Sequence, residues 1–447
     1  MRRQIAVIGG GLTGLTAAYD LICVGHDVTI YEASSATGGL ARGFQDENWD
    51  WSLEHFYHHL FESDKDLLQL VNELGITDQL FFPRPESSVY YKGTIYPFDS
   101  ISAFFDFPGF NFWQTLRFGA VTAALRYTRF WRLLERTTAD QWMRRWYGRT
   151  VYEATWKPLL INKFGRYYDQ VPMSWMWARI YARSQKLGYF KGGFQTFADA
   201  LTHAFFVRGG KIHYQQPVEK IVETNGRITI TTSEGHTATY DQCLVTSSPQ
   251  SLLKLAPAIP ALHDTYASKL ENLKSIGAVV MVVAMRWPLL KNTYWLNIPA
   301  TSPDKTANEI PFLALVEHTN YIKNKHYGGD HIVYLGDYVE PDHPYFSMSK
   351  EELEELFLSH LSKFNVNFNR DWVRKTWLFR AKYAQPVPLV RHSQNIPDLQ
   401  TPIPGLYFAS MSQVYPWDRG TNFAVKLGRR VSKLMQSQRD TEPETDD

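Results

Sequence analysis

The chain opens with a short apolar run, Ile5 to Ile8, set between polar Arg3 and Gln4 and a group of glycines. An unbroken apolar run of that length, closed by turn residues, is the pattern of a strand buried in a parallel sheet. Leu12 to Val24 then repeats apolar residues at helical spacing, and Asp27 to Tyr31 returns to a strand that ends at Glu32. Farther on, Leu67, Leu68, Leu70, Val71 and Leu74 predict a helix over 63–74, with Ser63 or Asp64 as N-cap and Gly75 closing it. Alternation around Lys92-Gly93 predicts a hairpin over 88–97.

The second half is strand-rich. A helix over 195–207 with Phe197, Leu201, Ala204 and Phe205 on one face leads into strands at 211–214, 217–223, 227–232, 238–240 and 242–246, with a strong hairpin turn at Asn225-Gly226. Further strands fall at 278–285, 312–317 and 331–335, then helices over 350–363 and from near Thr421.

Gly9, Gly11 and Gly14 sit directly between the first strand and the first helix. In that spacing the first glycine permits a tight turn, the second lets a pyrophosphate approach the backbone, and the third lets helix and strand pack closely. The amides and dipole of the helix start, at Leu12 and Thr13, face the phosphates. Glu32, with Ala33 after it, then ends the second strand where a carboxylate can accept from a ribose diol. These residues predict a dinucleotide site.

Composition narrows the rest. A length of 447 residues and 44% apolar content suit two to three domains with a substantial core, and a net charge of +2 gives no polyanion signature, so no nucleic-acid partner is expected. Cys23 and Cys243 are expected to be buried, reduced core residues, which excludes a disulfide framework or a thiolate metal site. No apolar stretch approaches a membrane span, and the short N-terminal run is not a signal peptide, so the expected location is cytoplasmic. Residues 101–147 interleave aromatics with arginines, which suits either a helical core or peripheral contact with an anionic membrane. His55, His58 and His59 cluster without the further ligands of a metal site, so no metal is expected. A histidine there can donate a hydrogen bond or move a proton.

Gly38-Gly39-Leu40-Ala41-Arg42 resembles the second glycine pair of the FAD-dependent amine oxidase and protoporphyrinogen oxidase-like superfamily, and the run from Glu54 to Phe61 resembles the stretch that UDP-galactopyranose mutases place beside the flavin. The block from Gly192-Gly193 to Thr246, with Val218 at the adenine position, and the closing run from Gly420 through Thr421, Asn422 and Phe423 resemble the same superfamily. The resemblance implies an α/β chain. A Rossmann-like FAD-binding domain of the glutathione-reductase type (1–60, 185–256 and 386–447) would interleave with an α+β substrate domain (61–184 and 257–385).

It also implies FAD as cofactor, with Gly39, Leu40 and Arg42 joining the first glycine turn around it, and hydride transfer at the flavin from a bulky, apolar or amphiphilic small molecule. His55, His58 and Lys382 are the catalytic candidates, and Lys157, Lys163, Arg166, Arg179 and Arg183 are candidates for an acidic group on the substrate. The alternative is a redox-neutral mutase acting on a sugar nucleotide. One departure stands out: Ala409-Ser410-Met411 replaces the usual Ala-Gly-Asp, and Asp418 is the nearest acid to take its place.

Overall fold

A computed structural model describes residues 2–98, 107–182, 184, 186–262 and 264–437. Its first layer is a five-stranded parallel sheet in the order Lys211–His213, Asp27–Tyr31, Gln4–Ile8, Gln242–Val245, Leu406–Phe408. The period of two explains why the central strand is apolar throughout. Ile5 and Val7 face the helices Leu12–Cys23, Phe194–Val207 and Thr421–Ser437, while Ala6 and Ile8 face a meander, Val218–Thr224, Arg227–Thr232 and Thr237–Tyr240. Each such apolar side chain removed from water is worth about 1.5–3 kcal/mol. The last helix lies directly on the first, since a β-carbon on Gly428 would fall 2.6 Å from the Thr13 carbonyl oxygen.

A second sheet of seven strands runs in the order Val373–Val387, Lys274–Met285, His331–Val339, Ala314–Glu317, Thr293–Asn297, Glu86–Tyr91, Thr94–Pro97. One face of its central strand, Val280, Val282 and Ala284, joins the core shared with the first sheet. The other, Val279, Met281, Val283 and Met285, is covered by Leu353, Phe357 and Leu358 of the helix Lys350–Leu358. Helices Phe112–Tyr127, Ala139–Tyr147, Lys157–Phe164 and Met173–Ala182 form a third mass against Ile276, Ala278 and Tyr338.

Most expected elements form within a residue or two of their sequence positions, and the departures have local causes. The helix expected over 350–363 ends at Leu358 and resumes as a single tight turn, Leu361–Lys363. The strands Thr293–Asn297 and Val373–Val387 were not anticipated, the latter because Arg374, Lys375, Arg380 and Lys382 break its apolar run. Cys243 is buried as expected, but Cys23 is exposed, because the end of its helix turns that position to solvent.

Within the aromatic and basic segment, Phe104 and Phe105 lie outside the described residues. Of the rest, Tyr147 is core, whereas Trp113 and Phe130 are 73% and 76% exposed.

Candidate functional site

The two glycine turns meet back to back. Gly11 and Gly38 form an isolated parallel bridge, and the Gly38 amide donates to the Gly10 carbonyl at 2.9 Å. Gly39, at φ +59°, comes so close that a β-carbon there would lie 3.0 Å from the Gly11 Cα. Gly14 is closed in completely: a β-carbon would fall 2.0 Å from the Gly9 carbonyl oxygen. Gly11 starts the first helix with no capping side chain, so the first-turn amides remain for an anion. The Glu32 carboxylate accepts the Gly10 and Ser34 amides at 2.7 Å each, one per oxygen, which leaves each oxygen another lone pair for a diol.

The three histidines do not converge. His55 donates its backbone N–H to the Arg42 carbonyl and stacks on Phe379 at 4.0 Å, 9° from parallel. Burial, helped by the Arg42 charge, pushes its pKa down to about 4. His58 shares a 2.6 Å hydrogen bond with the Phe56 carbonyl, and burial pushes it down to about 4 as well, so both rings are neutral at neutral pH. His59 packs edge-on against Phe61 and Trp295. Among the described residues no group of His, Cys, Asp and Glu is placed to hold a metal.

His58 and Leu40 line a small cavity with Tyr57, Tyr338, Ala384 and Arg419. Sequence reasoning reached Tyr57 only as part of the run from Glu54 to Phe61 and missed Tyr338 and Arg419. The signal for Arg419 was its position directly before Gly420; Tyr338 carried none, since only strand pairing brings it there.

Asp418, the acid nearest the departed Ala409-Ser410-Met411 motif, is engaged within the protein. Its carboxylate is held by Lys163 at 3.0 Å and Arg179 at 2.7 Å, and it accepts from Trp175 and Gln385 at 3.3 Å each. Burial would raise this carboxyl, but the charges of Lys163, Arg179 and Arg419 override that and hold it well below the usual carboxylate range. Burial pushes Lys163 down to about 7. At the departed motif, Ser410 is buried and bonds the Tyr383 hydroxyl at 2.7 Å. Lys157 and Arg166 are instead paired, with Glu153 at 2.8 Å and Glu340 at 3.2 Å, and Arg183 lies outside the described residues.

Lys382 is not brought to the site. Phe379 faces the shared core and Ala381 the helical mass, whereas Lys382 is exposed, with its ammonium over the Phe346 ring. At the closing helix, Asn422 turns its side chain away and accepts the Leu67 amide at 3.0 Å, while Phe423 stacks under Trp417. Gly420, Thr421 and Phe423 lie next to Arg419 in the chain, and Val218 starts the first strand of the meander, half-buried.

The family model described as flavin containing amine oxidoreductase matches residues 12–435. The chain belongs to this family. Membership of the flavin containing amine oxidoreductases brings FAD as cofactor and the oxidoreductase class. The chain is 33% identical over 88 residues to the mitochondrial protoporphyrinogen oxidase of Nicotiana tabacum, covering 20% of this chain and 17% of that protein. A protoporphyrinogen oxidase-like protein from Exiguobacterium sp. 255-15 superposes with a TM-score of 0.75 at 18% identity, covering 98% of this chain and 100% of that one.

A reduced UDP-galactopyranose mutase gives 0.72 at 18%, covering 97% of this chain and 94% of that one. At such identities the structural likeness shows the fold. Because the curated match spans about a sixth of the relative, its reaction does not carry over.

The residues present fit FAD. Between Gly11 and Gly39 the backbone is bare of β-carbons where a pyrophosphate needs close approach, uncapped helix amides point to the same place, and a carboxylate stands at the end of the neighbouring strand.

Proposed function

We propose that this flavin containing amine oxidoreductase removes hydride equivalents from a bulky, amphiphilic small molecule, one end of which enters the cavity of about 30 Å³ between Leu40 and the second sheet. Bound FAD supplies the two-electron acceptor for such a reaction. The observation that carries the reading is the cavity itself, which lies where the Gly39-Leu40 turn meets Tyr57, His58, Tyr338 and Arg419.

In this reading Gly9, Gly11, Leu12, Thr13, Gly14, Gly39 and Arg42 hold the phosphates, and Glu32 with Ala33 holds the ribose. Val218 meets the adenine, and the backbone at Gly420, Thr421, Asn422 and Phe423 meets the flavin edge. Residues 1–60, 185–256 and 386–447 would form the flavin domain, and 61–184 with 257–385 the substrate domain. His58, neutral and hydrogen-bonded to Phe56, is set to hold or pass a proton at the cavity wall. Tyr57 and Tyr338 give it an aromatic lining that excludes water and suits apolar substrate surface.

Exposed aromatics beside arginines in the helical mass, Phe112, Trp113 and Phe130 near Arg117, Arg129 and Arg132, support peripheral contact with an anionic membrane as the source of such a substrate. Among the described residues no helix is long and apolar enough to cross one.

The test is the visible spectrum of the purified protein, followed by anaerobic reduction and exposure to air or to a quinone. Recovery of the oxidised bands supports the reading; a colourless protein that takes up no added FAD defeats it. Conversion of UDP-galactopyranose by the reduced protein, with no net oxidation, would establish the redox-neutral mutase instead, which no feature of the cavity favours over the oxidoreductase.

A further inference from the structure

We infer that the cavity wall carries a built anion site, with Arg419 in front and Lys163 and Arg179 behind it, that seats a carboxylate or phosphoryl group of the substrate. The inference rests on the oxidoreductase reading and names the substrate class it acts on.

Charge balance is the first argument. Lys163, Arg179 and Arg419 surround the single carboxylate of Asp418, whose Oδ2 takes Lys163 and Arg179 while Oδ1 accepts from Trp175, Gln385 and the Arg419 backbone amide, so the two arginines alone outnumber it. The carboxylate that lines the cavity, Asp337, is paired at 2.7 Å with buried Lys305. His58 is uncharged at neutral pH, and Tyr57 and Tyr338 are phenols. A buried excess of positive charge is costly unless an anion completes it.

The second argument is an unfilled hydrogen bond. The Arg419 guanidinium donates through one terminal nitrogen to the Tyr338 hydroxyl and lies over that ring at 5.5 Å. Its Nε–H is buried and has no hydrogen-bond partner. A guanidinium fork is the group that matches a carboxylate or phosphate with two parallel hydrogen bonds. Behind it, Lys163 lies over both Trp175 and Tyr338, which fixes the second charge against the same ring. Cations held in place before the ligand arrives lose little freedom on binding it.

The site therefore orients the substrate: the cavity of about 30 Å³ has room for its anionic end, which goes to Arg419 beside Tyr57 and Tyr338. The positioning also makes binding proton-linked. Burial, with the charges of Arg179 and Arg419, outweighs the Asp418 partner and brings Lys163 down to about 7, so an arriving anion favours its protonated form.

The test is calorimetric titration of the purified holoprotein with benzoate and, separately, with inorganic phosphate, while the flavin absorbance is followed. The expected result is that one of the two anions binds and perturbs the flavin bands, which also decides between carboxylate and phosphoryl. Arg419→Gln is expected to weaken that binding by about 10–100-fold, the range for losing a charge-assisted hydrogen bond, with Arg419→Lys restoring part of it. For benzoate, whose charge is constant in this range, tightening as the pH falls through 7 is expected in the native protein and not in Lys163→Met.

Unchanged anion affinity in a folded, yellow Arg419→Gln, or no binding of either anion to the yellow holoprotein, overturns the inference. So does a shifted flavin midpoint potential in Arg419→Gln with anion binding intact, because it assigns Arg419 to the cofactor. A colourless protein that still binds an anion through Arg419 supports the site and separates its fate from that of the flavin reading.

Discussion

Gly39 and Gly11 touch through their backbones: a β-carbon on Gly39 would stand 3.0 Å from the Gly11 Cα, whereas one on Gly11 would meet only the Gly39 Cα, at an ordinary 3.8 Å. Gly11→Ala is therefore expected to fold, with its added methyl lying where the pyrophosphate must approach. The apoprotein's Tm should stay within a few degrees of native while FAD affinity falls by about tenfold or more. Gly14→Ala provides the contrast. Its methyl would fall 2.0 Å from a backbone oxygen, so a stability loss of about 3 kcal/mol or failure to fold is expected, read by thermal unfolding without cofactor.

Lys382 lies on the outer face of its strand, exposed over Phe346. Lys382→Met should leave kcat and the flavin spectrum unchanged, with a stability change within about 0.5 kcal/mol. A large fall in kcat, with KM unchanged, would place that lysine at the flavin after all.

Glu54 and His58 predict opposite pH responses of stability. Burial raises Glu54 from its ordinary 4.5 to about 7, although it accepts from the Phe194 amide and the Tyr189 hydroxyl. In the window between those values the unfolded chain has lost the proton that the folded chain keeps. Glu54 therefore erodes stability as pH rises from 4.5 to about 7, by on the order of 3 kcal/mol. His58 is lowered from 6.5 to about 4, so the unfolded chain takes up the proton first and stability is lost as pH falls through that window. Urea titrations across pH should show Glu54→Gln removing the loss on the neutral side and His58→Gln the loss on the acid side.

The helical mass gives a surface prediction. Phe112 and Trp113 are 63% and 73% exposed, so replacing both by serine should barely alter Tm. In sedimentation with phosphatidylserine vesicles the double variant is expected to partition about tenfold less, and native binding should weaken as salt screens the neighbouring arginines. Equal sedimentation of native and variant proteins would remove this face from membrane contact.

The sequence by itself determined the parallel sheet and the glycine cradle. Both are local: Ile5 to Tyr31 contains strand, turn, helix and the strand ending at the acid, each fixed by short-range periodicity or by a backbone that only glycine can adopt, such as Gly9 at φ +107°. The hairpin turn at Lys92-Gly93, the meander around Asn225-Gly226 and the helix start at Thr421 were legible for the same reason.

Only the tertiary structure decided the cavity. Tyr57, Tyr338 and Arg419 come from segments far apart in the chain, and strand pairing across the second sheet sets which of Asp337 and Tyr338 turns its side chain toward the helical mass. The same one-residue alternation sends Lys382 outward, and a buried ion pair, not motif spacing, claims Asp418 for Lys163 and Arg179. Local sequence fixes backbone shape because its energies act between near neighbours. Which charges meet depends on contacts made when distant strands close, and no pattern along the chain encodes them.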